Sequence, residues 1–205
     1  MKHIFILVIS LVIATSVSAQ HFQHGAGLGV TLDNMVEKNI AVGSVLTYNP
    51  RFNFHETENV SVSVGIPLSV GYTQNTYVTD AYYNDERYHI ETSYSFLVQA
   101  PVMVNFNFGG GSSPLCHKHI GGFVGAGYAF NYFSPRDYYV YDDNDYIIGV
   151  DTKGGSSAGP AANAGIRIAI GKTHTKSIEI KLSWYHALGS NNKFNVFGIG
   201  AAFNF

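Results

Sequence analysis

Alternation with a period of two residues runs through most of this chain and constrains its fold more than any other feature. Between residues 60 and 72 every even position is apolar, whereas the odd positions hold Ser, Gly and Pro. Successive side chains of a β-strand point to opposite faces, whereas an amphipathic helix repeats about every 3.6 residues. Residues 160–170 and 177–188 show the same alternation. The pattern excludes a helical bundle and predicts strands with one apolar face.

Eight segments are predicted to form strands. They are residues 23–32, 40–54, 60–72, 89–108, 119–133, 160–170, 177–188 and 194–205. Many are longer than the usual strand of about 5 to 6 residues and close to the roughly 9 to 11 tilted residues that cross a bilayer. Short connections alternate with the longer ones at 73–88 and 134–156, as in outer-membrane barrels. The predicted fold class is all-β, an eight-stranded antiparallel up-and-down transmembrane β-barrel.

The second face of these strands distinguishes a membrane barrel from a soluble sandwich. A soluble sandwich exposes a face rich in Lys, Glu and Asp, but charged residues make up only 13% of this chain. The non-apolar face instead carries small residues, among them Gly25, Gly27, Gly29, Gly43, Gly65, Gly121, Gly125, Gly127, Gly165, Gly198 and Gly200. Small residues suit the interior of a closed eight-stranded barrel. The apolar face then points outward, which is stable only in lipid.

Outward-facing aromatic residues are predicted to collect at the two ends of the strands, as membrane-interface girdles do. One end would carry Phe22, Phe52, Phe54, Phe106, Phe108, Phe203 and Phe205. The other would carry Tyr72, Tyr94, Phe130, Tyr132 and Trp184. This clustering at strand ends is not predicted for ordinary core aromatics, although aromatics favour strands anywhere.

The N-terminus has the pattern of a secretory signal peptide. Lys2 precedes an apolar stretch at residues 4–14, and Val17-Ser18-Ala19 forms a small-residue cleavage site. The apolar stretch is about half as long as a spanning helix needs. We predict a signal peptide at residues 1–19 and an outer-membrane β-barrel domain at residues 20–205. The expected location is the outer membrane of a Gram-negative cell, after secretion across the inner membrane.

Two segments resemble known outer-membrane barrels. The last strand, FNVFGIGAAFNF, ends in Phe205 with Phe203 two residues earlier, and resembles the C-terminal assembly signal of such barrels. The resemblance implies the barrel-assembly machinery as a partner, and the apolar exterior predicts outer-membrane lipid as another. The segment FLVQAPVMVNFNF resembles the PorT-like, OmpX-OmpA-like barrel domains common in Bacteroidetes. Pro101 matches their pattern, whereas Gln99, Ala100 and Asn105 depart from it. The resemblance implies a fold and a location more than a role.

Few charged residues fall on the inward face. They are Arg51, Glu91, Arg167, Glu179 and Lys181. If the turn at 171–176 is centred near Thr173, Arg167 and Glu179 are directly opposite on neighbouring strands, where an inward charge needs a partner. Arg51 and Lys181 can reach the same level. We interpret the group Arg51, Arg167, Glu179 and Lys181 as a structural salt-bridge cluster, with a gate or proton path as the alternative.

The predicted outer loops are rich in Tyr and Asp. Candidates for surface interaction are Tyr82, Tyr83, Tyr138, Tyr139, Tyr141, Asp142, Asp143 and Asp145. Tyr gives a large contact area at low entropic cost, so one hypothesis is that these loops bind an extracellular or cell-surface partner. Solvated loops without a partner are the other. The Asp residues lack the order of an EF-hand Ca²⁺ loop.

Three functional classes stay open from the sequence. The preferred one is a barrel with a structural or surface-interaction role, and the alternatives are a narrow solute pore and a lipid-modifying enzyme. Eight strands leave no wide channel. His186 lies near Ser183 and Ser190 in sequence, but no recognised catalytic motif joins them, so we expect no enzymatic activity. No cofactor or metal site is predicted, and the net charge of -2 argues against nucleic acid as a partner.

Overall fold

A computed structural model describes residues 21–36, 39–80, 88–141, 147–171, 176–188 and 194–205. The predicted signal peptide, residues 1–19, lies outside this part of the chain. The strands are β1 (His21–Gln23), β2 (Gly25–Val36), β3 (Asn39–Tyr48), β4 (Arg51–Glu56), β5 (Val60–Gly65), β6 (Leu68–Asp80), β7 (Tyr88–Gly109), β8 (Ile120–Tyr141), β9 (Ile147–Ile170), β10 (Lys176–His186) and β11 (Asn195–Asn204). In these ranges no helix is long and apolar enough to cross a membrane.

The strands close into an eight-stranded antiparallel barrel. Three consecutive pairs, β1 with β2, β3 with β4 and β5 with β6, each form one interrupted barrel strand. Each barrel strand pairs with the next one in sequence, and β11 returns to pair with β2. The ring is therefore an up-and-down barrel, which confirms the predicted fold class. We call the end that carries His21 and Phe205 the lower end, and the opposite end the upper end.

Proline residues account for two of the interruptions. Pro50 separates β3 from β4, and Pro67 separates β5 from β6. Proline has no N–H to donate to the ladder, so pairing breaks where it stands. The backbone N–H of Ile66 still donates to the Pro50 carbonyl at 3.1 Å. Burial continues to alternate through the break, with Gly65, Pro67 and Ser69 all buried. The predicted strands 40–54 and 60–72 are therefore each one barrel strand with a local break.

The two segments predicted as long outer loops are mostly strand, which corrects their predicted boundaries. β6 continues to Asp80 before β7 begins at Tyr88, and β8 continues to Tyr141 before β9 begins at Ile147. The ladders are regular over part of this length, with Thr76 opposite Thr92. The apolar alternation ends near residues 72 and 133, but backbone hydrogen bonds and β-prone Tyr, Thr and Val continue the hairpins beyond it. Two long β-hairpins therefore project from the upper end.

The two faces of the wall are distributed as the alternation predicts. Large apolar side chains are exposed on the outside of every barrel strand, whereas many inward positions hold Gly, Ser, Thr or Asn. The predicted girdle residues are exposed at Phe22, Phe52, Phe106, Phe108, Phe203, Phe205, Tyr72, Tyr94, Phe130, Tyr132 and Trp184. Phe54 differs, because the ladder shifts register between Asn53 and His55 and leaves its side chain half-buried. The exterior is therefore an apolar surface bounded by aromatic rings.

Candidate functional site

The charged side chains near the lower end of the interior form one connected group. Arg167 on β9 and Glu179 on β10 are direct ladder partners, as the sequence predicted. Nε of Arg167 donates to Oε2 of Glu179 at 2.8 Å, and both side chains are buried. The Arg167 guanidinium also lies 4.2 Å from the centroid of the Phe123 ring. Both charges thus have a partner inside the barrel, where an unpaired buried charge is costly.

Asparagine side chains extend this group to other strands. Nη1 of Arg167 donates to Oδ1 of Asn107 at 2.7 Å. Nδ2 of Asn107 in turn donates to Oγ of Ser61 at 3.1 Å and to Oγ of Ser63 at 3.0 Å. Nδ2 of Asn204 donates to Oγ of Ser177 at 3.1 Å and lies 3.4 Å from Oε2 of Glu179. Sequence reasoning did not single out either asparagine, although both occupy inward positions of the alternation.

Arg51 connects the same group to the lower turn. Its Nη1 lies 3.7 Å from Oε2 of Glu179, and its Nε donates to Oε1 of Gln23 at 2.7 Å. Its Nη2 donates to the Gly111 carbonyl at 3.3 Å. Lys181 lies one inward position above Glu179 on β10 and makes no ion pair within 4 Å to any residue in the described ranges. We call Arg51, Asn107, Arg167, Glu179 and Asn204 the charged layer.

The turn between β7 and β8 folds into the lower mouth of the barrel. Gly109 and Gly111 have φ of 70° and 72°, a left-handed conformation that favours glycine. The amides of Ser112 and Cys116 donate to the carbonyls of Gly109 and Ser113, both at 3.1 Å. Buried residues of this turn are Gly110, Gly111, Ser112, Ser113 and Cys116. The turn therefore covers the charged layer from below.

An apolar layer crosses the interior near the upper end. Phe133 on β8 packs edge-on against Phe194, with ring centroids 5.4 Å apart, and Tyr185 packs against the same ring at 6.1 Å. Oγ of Ser157 lies 3.0 Å from the Tyr185 hydroxyl. The buried members of this apolar layer are Leu97, Phe133, Tyr185, Ala187 and Phe194. Sequence reasoning did not place it, because the alternation gives the direction of each side chain but not which inward side chains meet.

A small cavity with a mixed apolar and polar lining, the central cavity, lies between the charged layer and the apolar layer. Its volume is about 60 Å³. Its polar lining includes Thr31, Gln99, Asn131, Asn163 and Lys181. The interior is thus filled in three successive levels, by the lower turn with the charged layer, by the cavity lining and by the apolar layer.

The C-terminal residue is built into the lower rim. The Phe205 amide donates to the His24 carbonyl at 2.8 Å, and the His24 amide donates to the Phe205 carbonyl at 3.2 Å. The His24 ring stacks on those of Phe205 and Tyr48, with Nδ1 hydrogen-bonded to the Tyr48 hydroxyl. Phe203 also stacks on Phe205, with centroids 6.1 Å apart. The last residue therefore closes the ring between the first and last barrel strands.

The residues weighed for catalysis are divided by the barrel wall. His186 faces outward at the upper rim, where Nδ1 lies 3.0 Å from Oδ1 of Asn195 and the ring stacks on Trp184. Ser183 faces inward and lines the central cavity. Ser190 lies outside the described residues. Ser183 therefore cannot pair with His186 as a nucleophile and base.

Most surface-interaction candidates fall where few side chains are described. Tyr138, Tyr139 and Tyr141 belong to the projecting part of β8. Tyr82, Tyr83, Asp142, Asp143 and Asp145 lie outside the described residues.

At the opposite, lower end, Cys116 is buried with its Sγ 3.9 Å from Oδ1 of Asn59, whereas His117 and His119 are exposed.

Together these features define a closed, eight-stranded, up-and-down β-barrel with an apolar exterior and a filled interior. Among solved structures it is similar to Neisserial surface protein A, with a TM-score of 0.53 and 9% sequence identity, over 91% of this chain and 98% of that one. Other matches are the N-terminal β-barrel domain of Pseudomonas aeruginosa OprF, with a TM-score of 0.41, 15% identity and coverage of 90% and 100%, and Ail of Yersinia pestis, with a TM-score of 0.39, 13% identity and coverage of 91% and 98%. At 9% identity, the similarity to the Neisserial protein shows a shared fold.

No protein-family model matches the chain, and no curated protein matches it.

Proposed function

We propose that this chain is an integral outer-membrane β-barrel protein of a Gram-negative cell, with a structural or surface-interaction role and no open pore. The observation that carries the proposal is the apolar exterior. Large apolar side chains are exposed on every barrel strand, including Leu28, Leu46, Val104, Ile166 and Ile199. Soluble monomers rarely expose apolar patches larger than about 300–600 Å². Surrounding lipid removes the free-energy cost of exposing this apolar surface to water, while the polar side chains stay inside the barrel.

The filled interior favours a non-conducting role over the narrow pore. The charged layer ties Arg167, Glu179 and Arg51 to one another, and the lower turn covers it. At the other end, Phe133 and Phe194 are buried against each other. A solute would have to displace an ion-pair network and an aromatic contact, both of which stabilise the barrel. The interior is accordingly that of a packed scaffold.

The projecting hairpins support the surface-interaction part of the proposal. β8 and β9 are paired from Arg136 with Lys153 up to Tyr141 with Ile147, well above the level where β10 ends at His186. Tyr138, Tyr139 and Tyr141 belong to the β8 strand of this hairpin. An extracellular or cell-surface partner would meet these residues first.

Several finer assignments belong to the same proposal. Residues 1–19 are a signal peptide cleaved after Ala19, and residues 20–205 form the barrel domain. Phe203 and Phe205 form the end recognised by the barrel-assembly machinery, and outer-membrane lipid surrounds the wall. The chain is a PorT-like barrel domain without enzymatic activity, which the separation of Ser183 from His186 supports.

Cysteine labelling on intact cells tests both location and orientation. In a Cys116→Ser background, Asp143→Cys, which lies between β8 and β9 in sequence, should react with a membrane-impermeant maleimide, whereas His117→Cys, exposed at the lower end, should react only after lysis. Membrane fractionation and N-terminal sequencing from Gln20 complete the test. Recovery of the chain as a soluble monomer without detergent, or labelling of His117→Cys but not Asp143→Cys on intact cells, contradicts the proposal.

A further inference from the structure

The two hairpins that project from the upper end are not paired with each other. β7 and β8 are ladder partners up to Leu97 opposite Phe133, and among the described residues this ladder goes no higher. Above that level, within the described ranges, β7 pairs only with β6, and β8 pairs only with β9. Each of the two strands therefore has one side without a partner strand there. We call this unpaired side of β7, over residues 88–95, the free edge.

Ser134 ends the ladder between β7 and β8. Its Oγ accepts a hydrogen bond from the Phe96 amide at 2.8 Å, and its carbonyl accepts one from Oγ of Ser95 at 2.7 Å. These side-chain bonds take the place of the backbone bonds that would continue the ladder. Pro135, which has no N–H, follows immediately. The ladder thus stops at Phe96, and the free edge above it has no partner strand in the part of the chain that the structure describes.

The hydrogen bond from Phe96 shows which amides point to the free edge. Along a strand, the backbone groups of successive residues point alternately to one neighbour and to the other. The ladder between β6 and β7 has no register shift, so the alternation set by Phe96 continues to Tyr88. The amides of Glu91 and Ser93 therefore point to β6. Those that point to the free edge belong to Tyr88, Ile90, Thr92 and Tyr94.

The free edge lacks the features that protect exposed strand edges. Natural proteins protect such edges with proline, bulges and charged side chains. β8 and β9 have these features above the rim, namely Pro135, register shifts after Phe133 and Val140, and Gly154 with a φ of 146°. The free edge, with the sequence YHIETSYS, contains no proline, glycine or bulge, and one formal charge, at Glu91. It is thus a regular template with several β-forming side chains.

The chain around the free edge is acidic. Residues 75–95 and 134–156, which cover the two hairpins from the rim upward in sequence, contain nine Asp and Glu residues but three Lys and Arg residues. Opposite charge speeds the approach of a partner, and like charge disfavours it. Backbone pairing depends little on side-chain identity, so charge is the main selective property at such an edge. The composition favours a basic partner segment over an acidic one.

We propose that the free edge binds an extended, Lys- or Arg-rich segment of a partner protein, which adds to the β6–β7 hairpin as a further β-strand. The backbone of this segment bonds to the N–H and C=O groups of Tyr88, Ile90, Thr92 and Tyr94, as in β-strand addition generally. At about 3.3 Å for each residue, the site is about 26 Å long. The inference deepens the surface-interaction role proposed above, and it rests on that role for the upper end being outside the cell.

Peptide binding to the purified barrel in zwitterionic detergent tests the site. The probe is a fluorescein-labelled nonapeptide of alternating Thr and Lys, and fluorescence polarisation gives its affinity. Thr92→Pro removes an amide of the free edge and should weaken binding about tenfold. Thr76→Pro is the matched control and should leave the affinity unchanged. Thr76 is the ladder partner of Thr92, and its amide points to the opposite side of the hairpin.

Two control peptides separate strand pairing from charge attraction. One has Glu in place of every Lys, and the other keeps every Lys but has Pro in place of every Thr, so that it cannot form a regular strand. Neither should bind. Absence of binding by the Thr-Lys peptide, equal binding of either control peptide, or an equal loss of affinity in the two proline variants overturns the proposal.

Amide hydrogen exchange of the wild-type barrel tests the site without a substitution. The Thr-Lys peptide should slow exchange about tenfold more at Ile90, Thr92 and Tyr94 than at Glu91 and Ser93, whose amides point to β6. Equal slowing along β7, or slowing on the other edge of the hairpin at Thr76, overturns the proposal.

Self-association of the barrel without peptide gives the remaining outcome. The wild-type barrel should be monomeric by sedimentation in detergent. A dimer that Thr92→Pro abolishes would show that a second copy of this chain occupies the free edge, which overturns the proposal of a basic partner segment. These measurements use the purified barrel, so their failure leaves the outer-membrane location to be decided by the cysteine-labelling experiment.

Discussion

Oε2 of Glu179 accepts a hydrogen bond from Nε of Arg167 at 2.8 Å, and the two residues are direct partners in the ladder between β9 and β10. The pair fixes the register of these strands, because a slip of either strand by one residue would turn its charge toward the apolar exterior and away from its partner. It also connects more distant parts of the ring, since Glu179 lies 3.7 Å from Arg51 and Arg167 donates to Asn107. The pair therefore ties together four barrel strands at one level.

Removing one member of this pair should destabilise the barrel more than removing both. Arg167→Ala leaves Glu179 with only Arg51 and Asn204, and leaves Oδ1 of Asn107 without its donor. Breaking a buried pair costs about 3–5 kcal/mol. Arg167→Ala together with Glu179→Ala should recover part of this loss, because the buried carboxylate that has lost its closest donor is then gone. Urea titration of the refolded barrel in detergent gives the free energy of unfolding of the wild type, the single variant and the double variant.

Lys176→Ala is the matched control for this series, because Lys176 is an exposed charge on the same strand. Its effect should stay within about 0.5 kcal/mol. If the double variant is no more stable than Arg167→Ala, Glu179 and Arg167 do not depend on each other for stability, and the prediction is wrong.

Much of the barrel could be predicted from the sequence because side-chain alternation reports directly on the environment of each face. The strand count, the outward aromatics and the opposition of Arg167 to Glu179 follow from parity and from the length of the turn at 171–176. Strand ends were less predictable. Past residue 133, the alternation stops where the apolar exterior ends, but the hydrogen-bonded ladder continues to Tyr141.

The filling of the interior could not be predicted, because it depends on contacts between residues far apart in sequence. Phe133 and Phe194 meet across the barrel at 5.4 Å, and Arg51 reaches the carbonyl of Gly111. The odd or even position of a residue in its strand predicts only that its side chain points inward. Which side chains meet there depends on strand tilt, on the break at Pro67 and on the fold of the lower turn.

A charge placed on the middle of the exterior should be costly only if that surface contacts lipid. Ile199 lies in the middle of β11 and is 54% exposed, whereas Leu188 is 57% exposed and lies beyond the end of β10. Ile199→Arg should lower the free energy of unfolding in bilayers by about 2–4 kcal/mol, and Leu188→Arg by about 0–1 kcal/mol. Equal effects of the two substitutions, measured by denaturant titration in lipid vesicles, would mean that the exterior is not embedded.

The wild-type barrel should show background conductance in planar bilayers, because several levels of the interior are filled. Removing the aromatic contact alone, in Phe133→Ala with Phe194→Ala, should not open a path, since the charged layer and the lower turn stay in place. The substitutions should still destabilise the barrel, at about 3–5 kcal/mol for each buried ring. Discrete conductance steps in the wild type would favour the narrow pore, and steps in the double variant alone would identify the apolar layer as the barrier.

Replacing the C-terminal residue should impair assembly more than an equal change elsewhere on the same rim. Phe205 is 54% exposed, and its ring stacks on His24 and Phe203. Phe205→Asp removes an interfacial aromatic and places a carboxylate at the end that resembles the assembly signal. Phe22→Asp is the matched control, because Phe22 is 51% exposed on the same rim and its ring contacts the same histidine. Heat-modifiable migration of membrane fractions should show a larger loss of folded barrel for Phe205→Asp than for Phe22→Asp, and near-normal assembly for Phe205→Tyr. If the two Asp variants lose equal amounts of folded barrel, Phe205 acts only as a girdle residue and not as an assembly signal. If Phe205→Asp also lowers the yield of spontaneous refolding into vesicles, its effect comes from the stability of the rim.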